Sequence, residues 1–171
     1  MIHWNTVAIV GVGLIGGSIG LGLRKRKLAR RVVGIGRSQA TLAKALSRGC
    51  ITELAPSLAE GVREAELVIV CTPVEQIPQQ VVEAATYSPP ECLFTDAGST
   101  KGRLVAEVEA ALASRYPGEL PFVGSHPIAG SEKTGPDAAD ADLFQGRVVV
   151  ITPTARTKSA ASAAVEAFWR S

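Results

Sequence analysis

Short apolar runs rich in β-branched residues recur along the chain at Thr6–Val10, Arg31–Ile35, Leu67–Cys71, Cys92–Asp96, Phe122–Gly124 and Arg147–Thr152, and each predicts a strand. The stretches between them mix apolar and polar positions in a helix-compatible way, at Leu14–Arg26, Ala40–Arg48, Ser57–Glu64, Val74–Ala85, Lys101–Ala113 and Lys158–Trp169. Pro89–Pro90 and Pro117–Gly118 punctuate the connections. Strands alternating with helices build stacked βαβ units, so the expected class is α/β: a doubly wound, mostly parallel sheet with helices on both faces. Phe168 and Trp169 stand at the end of the last predicted helix, where large apolar side chains need something to pack against. The natural chain is therefore expected to continue past Ser171.

The bulk numbers narrow the classes without naming a function. A chain of 171 residues that is 46% hydrophobic and 20% charged can bury a core and is not disordered. A net charge of +2 points to neither nucleic acid nor an anionic membrane as the main partner. No apolar run approaches the ~20 residues that span a bilayer, and the N-terminus lacks the marks of a signal peptide. Cys50, Cys71 and Cys92 match no metal or redox spacing, so free buried thiols in a cytoplasmic protein are expected, with no metal. The basic run Arg24-Lys25-Arg26-Lys27 falls at the end of the first helix, where cations complement the dipole and face water.

Chemistry enters at the first turn. The run AIV leads into Gly11-Val12-Gly13-Leu14-Ile15-Gly16 and then a helical pattern, the context that a dinucleotide fingerprint requires. Gly11 permits the tight turn, Gly13 admits a pyrophosphate close to the backbone, and Gly16 lets helix and strand pack closely. The helix N-terminus then receives the phosphates. The fold expected is thus Rossmann-type. A preference for NAD calls for an acidic residue at the end of the second strand, but Gly36-Arg37-Ser38 stands there. Arginine offers a planar fork of donors and serine a hydroxyl, which favours NADP, with NAD possible.

Ligands of a doubly wound sheet bind beyond the carboxyl ends of the strands. Thr72-Pro73, the cluster Asp96 to Lys101, and Ser125-His126 all fall there. His126 is one of two histidines in the chain and sits among small and turn-forming residues, GSHPIAG. Its imidazole can take a proton near neutral pH while hydride leaves for a nicotinamide. Ser99 supplies an orienting hydroxyl. Lys101, in the first turn of a helix, opposes the dipole, which suggests that it is used.

With these segments assembled, the chain resembles the prephenate/arogenate dehydrogenase family of tyrosine biosynthesis. The likeness rests on VAIVGVGLIGGSIGLGL (7–23), VIVCTPVEQI (68–77), TDAGSTK (95–101), GSHPIAGSEKTG (124–135) and DLFQGRVVVITPT (142–154). The resemblance implies NAD(P)-dependent oxidative decarboxylation of prephenate or arogenate to 4-hydroxyphenylpyruvate or tyrosine. It implies that His126 accepts a hydrogen bond from the ring hydroxyl and that Ser99 holds hydroxyl and imidazole in register. Asp96, Lys101 and Ser125 belong to the substrate side or its support, and Thr72 and Pro73 line the nicotinamide side. Residues 1–171 would then be the dinucleotide-binding domain. The family's helical domain, which forms a homodimer and helps hold the substrate, is absent from this sequence, so the piece alone is expected to bind cofactor without turnover. Two other readings remain: a Rossmann oxidoreductase acting on a β-hydroxyacid or imine, and a non-catalytic NADP-binding regulatory module.

Overall fold

The structure, a computed structural model, describes residues 3–171. Its strands are β1 (Trp4–Val10), β2 (Ala29–Ile35), β3 (Glu53–Leu54), β4 (Leu67–Val70), β5 (Leu93–Asp96), β6 (Phe122–Pro127) and β7 (Val149–Thr152). They form one sheet in the order β3-β2-β1-β4-β5-β6-β7, parallel throughout except where β6 meets β7. The helices are α1 (Leu14–Lys25), α2 (Gln39–Ser47), α3 (Leu58–Gly61), α4 (Ile77–Tyr87), α5 (Gly102–Leu112) and α6 (Ser159–Arg170). This is the expected doubly wound α/β architecture, and no described helix is long and apolar enough to cross a membrane.

Alternation along the central strands sends side chains into two cores. Val7 and Ile9 of β1, with Leu67 and Ile69 of β4, pack under α1, α2 and α6. Ala8 and Val10, with Val68 and Val70, pack under α4 and α5. All of these are buried, and each large aliphatic side chain removed from water contributes about 1.5–3 kcal/mol. Helix starts follow local chemistry: the Ser38 and Ser57 hydroxyls accept from Thr41 N and Glu60 N, both at 3.2 Å, and Pro78 enters the first turn of α4.

The differences from the sequence-based expectation have local causes. The two-residue strand β3 carries too short a pattern to register and exists through pairing with β2 at Val33↔Glu53 and Gly34↔Leu54. The third helix is a single turn, Leu58–Gly61, and β2 begins at Ala29 because Trp4 pairs there. Most consequential is β6, which runs on to Pro127, so His126 lies inside a strand opposite Val150. The ladder with β5 stops at Thr95↔Val123, so by Pro127 the strand has only β7 beside it and a residue without an N–H is tolerated.

The basic end of α1 is a clamp rather than a merely solvated end. Lys25 and Arg26 pair with Asp142 at 2.5 and 3.0 Å, Arg26 also donates to Ala141 O, and Arg24 donates to Gly49 O. With Ser18 Oγ accepting from Asp140 N at 3.0 Å, the bonds to Ala141 and Asp142 fasten the segment between β6 and β7 onto α1. Phe168 and Trp169 find partners within the chain: Phe168 joins the core under α1, and Trp169 meets Phe144 edge to face with ring centres 5.5 Å apart.

Gly20 marks the tightest approach of α1 to the layer below it, since a Cβ there would stand 1.9 Å from the Cys50 carbonyl oxygen. Gly20→Ala is expected to destabilise the chain by about 2–3 kcal/mol through forced displacement of backbone. Gly102→Ala, at a position with nothing within 4 Å, is expected to change stability little. Urea unfolding of the two variants checks this, and equal midpoints would refute it.

Candidate active site

The turn from β1 into α1 shows which glycines the fold itself needs. Gly11 has φ +90°, and a Cβ there would press the Cys71 carbonyl oxygen at 2.9 Å. At Gly16 a Cβ would stand 2.1 Å from Gly11 O, so a side chain there would drive α1 off β1. Gly13 differs. Its φ is −91°, and a Cβ there would meet nothing within 4 Å. Packing does not require a bare residue at that point, and glycine leaves open space over the first turn of α1. That turn has no side-chain cap and no acidic residue, leaving its N–H groups and positive dipole end open to an anion.

Gly13 opens into a cavity of about 420 Å³ at the carboxyl ends of β1, β2 and β4. Of the residues singled out by sequence, Gly11, Gly13, Arg37, Ser38, Thr72 and Pro73 all line it. Leu14, Ile15 and Gly16 form the first turn of α1 behind that lining. Arg37 is exposed at the rim, and no carboxylate stands beside it in Gly36-Arg37-Ser38. The Ser38 hydroxyl accepts from Thr41 N, so its own proton remains free to donate. Sequence reasoning missed Gln76, Gln80 and Glu83, which line the same cavity from the α4 side. Their three- and four-residue spacing on a helix was the available signal. The Thr72 hydroxyl donates to the Gln80 side-chain carbonyl, which joins strand end to helix. A separate cavity of about 430 Å³ between α1 and α6 contains none of the predicted site residues.

The second group occupies the ends of β5 and β6, outside the cavity lining. Asp96 is 0% exposed, and its carboxylate accepts from Gly98 N at 2.8 Å, Ser125 N at 3.1 Å and Lys101 Nζ. Ser125, also fully buried, donates its hydroxyl proton to the Asp96 carbonyl at 2.6 Å. Ser99 is exposed in the loop after β5, and His126 is half-buried in β6. The connection between them runs through Asp96 and Ser125. Lys101, which opposes the dipole of α5, is held there by this buried carboxylate. Cys71 lines the cavity, and its thiol is pushed up by burial and then by the charge of Asp96. All three cysteines are free, and Cys71 is only partly buried because it forms cavity wall.

Burial raises the Asp96 carboxyl and lowers the Lys101 ammonium, each against the pull of the other. Among the described residues no cluster of His, Cys, Asp or Glu could hold a metal ion.

Comparison with known proteins places this geometry. Residues 19–171 match the sequence family described as prephenate dehydrogenase, nucleotide-binding domain. The prephenate dehydrogenase of Bacillus subtilis (strain 168) is 42% identical over 154 residues, covering 90% of this chain and 40% of the relative. The crystal structure of A. aeolicus prephenate dehydrogenase in complex with hydroxyphenyl propionate and NAD+ superposes with a TM-score of 0.87 at 31% identity, covering 97% of this chain and 56% of that one. Synechocystis arogenate dehydrogenase gives a TM-score of 0.84 at 29% identity, covering 95% and 55%. The chain thus spans about half the length of the relatives it matches.

The buried pair makes a stability prediction. Asp96→Asn leaves the Lys101 ammonium without its counter-charge and is expected to cost about 3–5 kcal/mol, whereas Asp96→Asn with Lys101→Met is expected to recover only the part due to the unpaired ammonium, since asparagine offers one acceptor where Ser125 N and Gly98 N use two. A carboxyl whose folded pKa is raised binds its proton more readily folded than unfolded. Its stabilising contribution is therefore fullest below the ordinary Asp value of about 3.9 and declines as pH rises through the raised value. Denaturant titrations should show the wild type losing ground to the double variant over that rise, and parallel pH profiles would contradict it.

Proposed function

The chain belongs to the family of prephenate dehydrogenase nucleotide-binding domains, and on that premise we propose that it is the cofactor half of an NAD(P)-dependent oxidoreductase that oxidatively decarboxylates prephenate or arogenate. What supports this reading is that the glycine-lined cavity lies at the carboxyl ends of β1, β2 and β4, the same edge of the parallel sheet toward which Ser99, in the loop after β5, and His126, within β6, are placed. When bound, the cofactor supplies the two-electron acceptor. Loss of carbon dioxide and aromatisation supply the driving force, so the protein's task is alignment and the handling of one proton.

His126 accepts the hydrogen bond of the ring hydroxyl, holds that proton as carbonyl character develops on the oxygen, and returns it to the phenolic product. Ser99 orients the same hydroxyl. Asp96, Lys101 and Ser125 hold strand and loop so that imidazole and hydroxyl stay in register. At the other end of the cleft, Gly11, Gly13, Leu14, Ile15 and Gly16 present the helix N-terminus to the pyrophosphate. Thr72 and Pro73 bound the nicotinamide. Arg37 and Ser38 receive the 2′-phosphate of NADP, a choice supported by the missing carboxylate at the end of β2. Capture of the substrate side chain and homodimer formation fall to residues beyond this stretch, so the chain alone binds cofactor without turnover. Free thiols fit a cytoplasmic setting.

Calorimetric titration of the chain with both dinucleotides checks the cofactor half. NADP+ is expected to bind more tightly than NAD+, and Arg37→Ala to weaken NADP+ by about 10–100-fold while leaving NAD+ unchanged, the worth of a charge-assisted hydrogen bond. Gly13→Ala is expected to weaken both. Tighter NAD+ binding by the wild type would overturn the NADP assignment. The reacting half is checked in the longest natural form of the protein. There, reduced cofactor should appear with prephenate or arogenate, and His126→Ala should lower kcat by about 10²–10⁴-fold. Oxidation of neither substrate, or an unchanged rate in His126→Ala, would sink the reading.

A further inference from the structure

The Ser125 hydroxyl lies where β5, β6 and α6 meet, and three groups hold it. It donates to the Asp96 carbonyl at 2.6 Å, stands 2.7 Å from Thr95 Oγ1, and accepts from the indole Nε1 of Trp169 at 3.0 Å. An indole N–H only donates, so one lone pair of the serine oxygen is committed to the tryptophan. That leaves the serine proton directed at Asp96.

Ser125 and His126 are consecutive residues of a strand, so their side chains leave opposite faces of the sheet. Whatever sets Ser125 on the α6 face sets His126 on the other. On the β7 side both residues are paired, with Ile151 and Val150. On the β5 side the ladder has already ended at Thr95↔Val123, and the bonds between Ser125 and Asp96 take its place. Thr95 adds its hydroxyl from β5, and Trp169 supplies the restraint from the helix layer.

The tryptophan is itself held. Its ring meets Phe168 edge to face at 5.0 Å and Phe144 at 5.5 Å. Phe144 belongs to the segment that Lys25 and Arg26 clamp to α1 through Asp142. The last helix and the clamped segment therefore converge on one side chain whose only polar atom points at the residue next to His126.

We propose that Trp169 is a positioning residue for the reaction: its indole N–H fixes the Ser125 hydroxyl and, one residue along β6, the place of the His126 imidazole. This rests on the role given to His126 above. It also makes α6 a mechanical input to the site, since a shift of that helix reaches the imidazole through a single hydrogen bond.

Trp169→Phe keeps an aromatic ring beside Phe144 and deletes the N–H. Ser125→Ala removes the same bond from the other side and serves if the first variant folds poorly. In the chain itself, the ring signals of His126 in an NMR spectrum should shift in both variants, those of His3 should not, and the double variant should shift no further than the larger single one. In the longest natural form, kcat should fall about tenfold in Trp169→Phe with KM for NADP+ unchanged, the signature of a reacting group displaced by a fraction of an ångström. A loss of thermal stability with unmoved His126 signals and full kcat would show that Trp169 only packs, and would overturn the proposal. If the wild type oxidises neither substrate, the functional reading has failed separately. The positional link is then decided by the His126 signals alone: a shift supports it and no shift overturns it.

Discussion

A carboxylate with no solvent exposure organises the ends of β5 and β6 in this protein. Asp96 receives backbone N–H groups from the loop just after it and from the neighbouring strand, and a lysine from the start of α5. A buried charge survives only when nearly every lone pair is occupied, so these partners are constrained together. Ser99 rides on the loop that Asp96 holds, and His126 comes directly after the serine that it holds. A loop residue and a strand residue are thereby both tied to one buried carboxylate.

The other half of the site is governed by close approach instead of charge. Gly11 and Gly16 are bare because β1, β4 and α1 leave no room for a side chain, whereas Gly13 is bare with room to spare. The difference separates glycines whose side-chain space is already filled from one whose space is open to the cavity. Sequence spacing assigned Gly11 to the turn and Gly16 to close packing, and the structure supplies the contacts behind that assignment, the Cys71 carbonyl and the Gly11 carbonyl. Gly20 shows the limit of such spacing: it reads as one more small residue in GGSIG, yet the Cys50 carbonyl lies directly against it.

The sheet and its order of elements were legible because a strand covered on both faces must be apolar along its length, and such runs stand out. The glycine turn, Arg37 and Ser38, and the polar ends of β4, β5 and β6 were legible because each comes directly after a run of that kind. What escaped were features without a local pattern. A two-residue strand such as β3 has none. The polar wall of α4 was visible only as a spacing, with nothing to say which face it turned to the cavity.

By itself the amino-acid order determined the βαβ alternation, the phosphate turn and the residue types waiting at the strand ends, since these are properties of neighbours along the chain. Only the tertiary structure decided that His126 stands within a strand, that Lys101 answers a buried carboxylate, and that Trp169 reaches Ser125 from the last helix. Each of those contacts joins residues whose separation along the chain carries no periodic signal, and pairing of that kind becomes defined only when the layers close on one another.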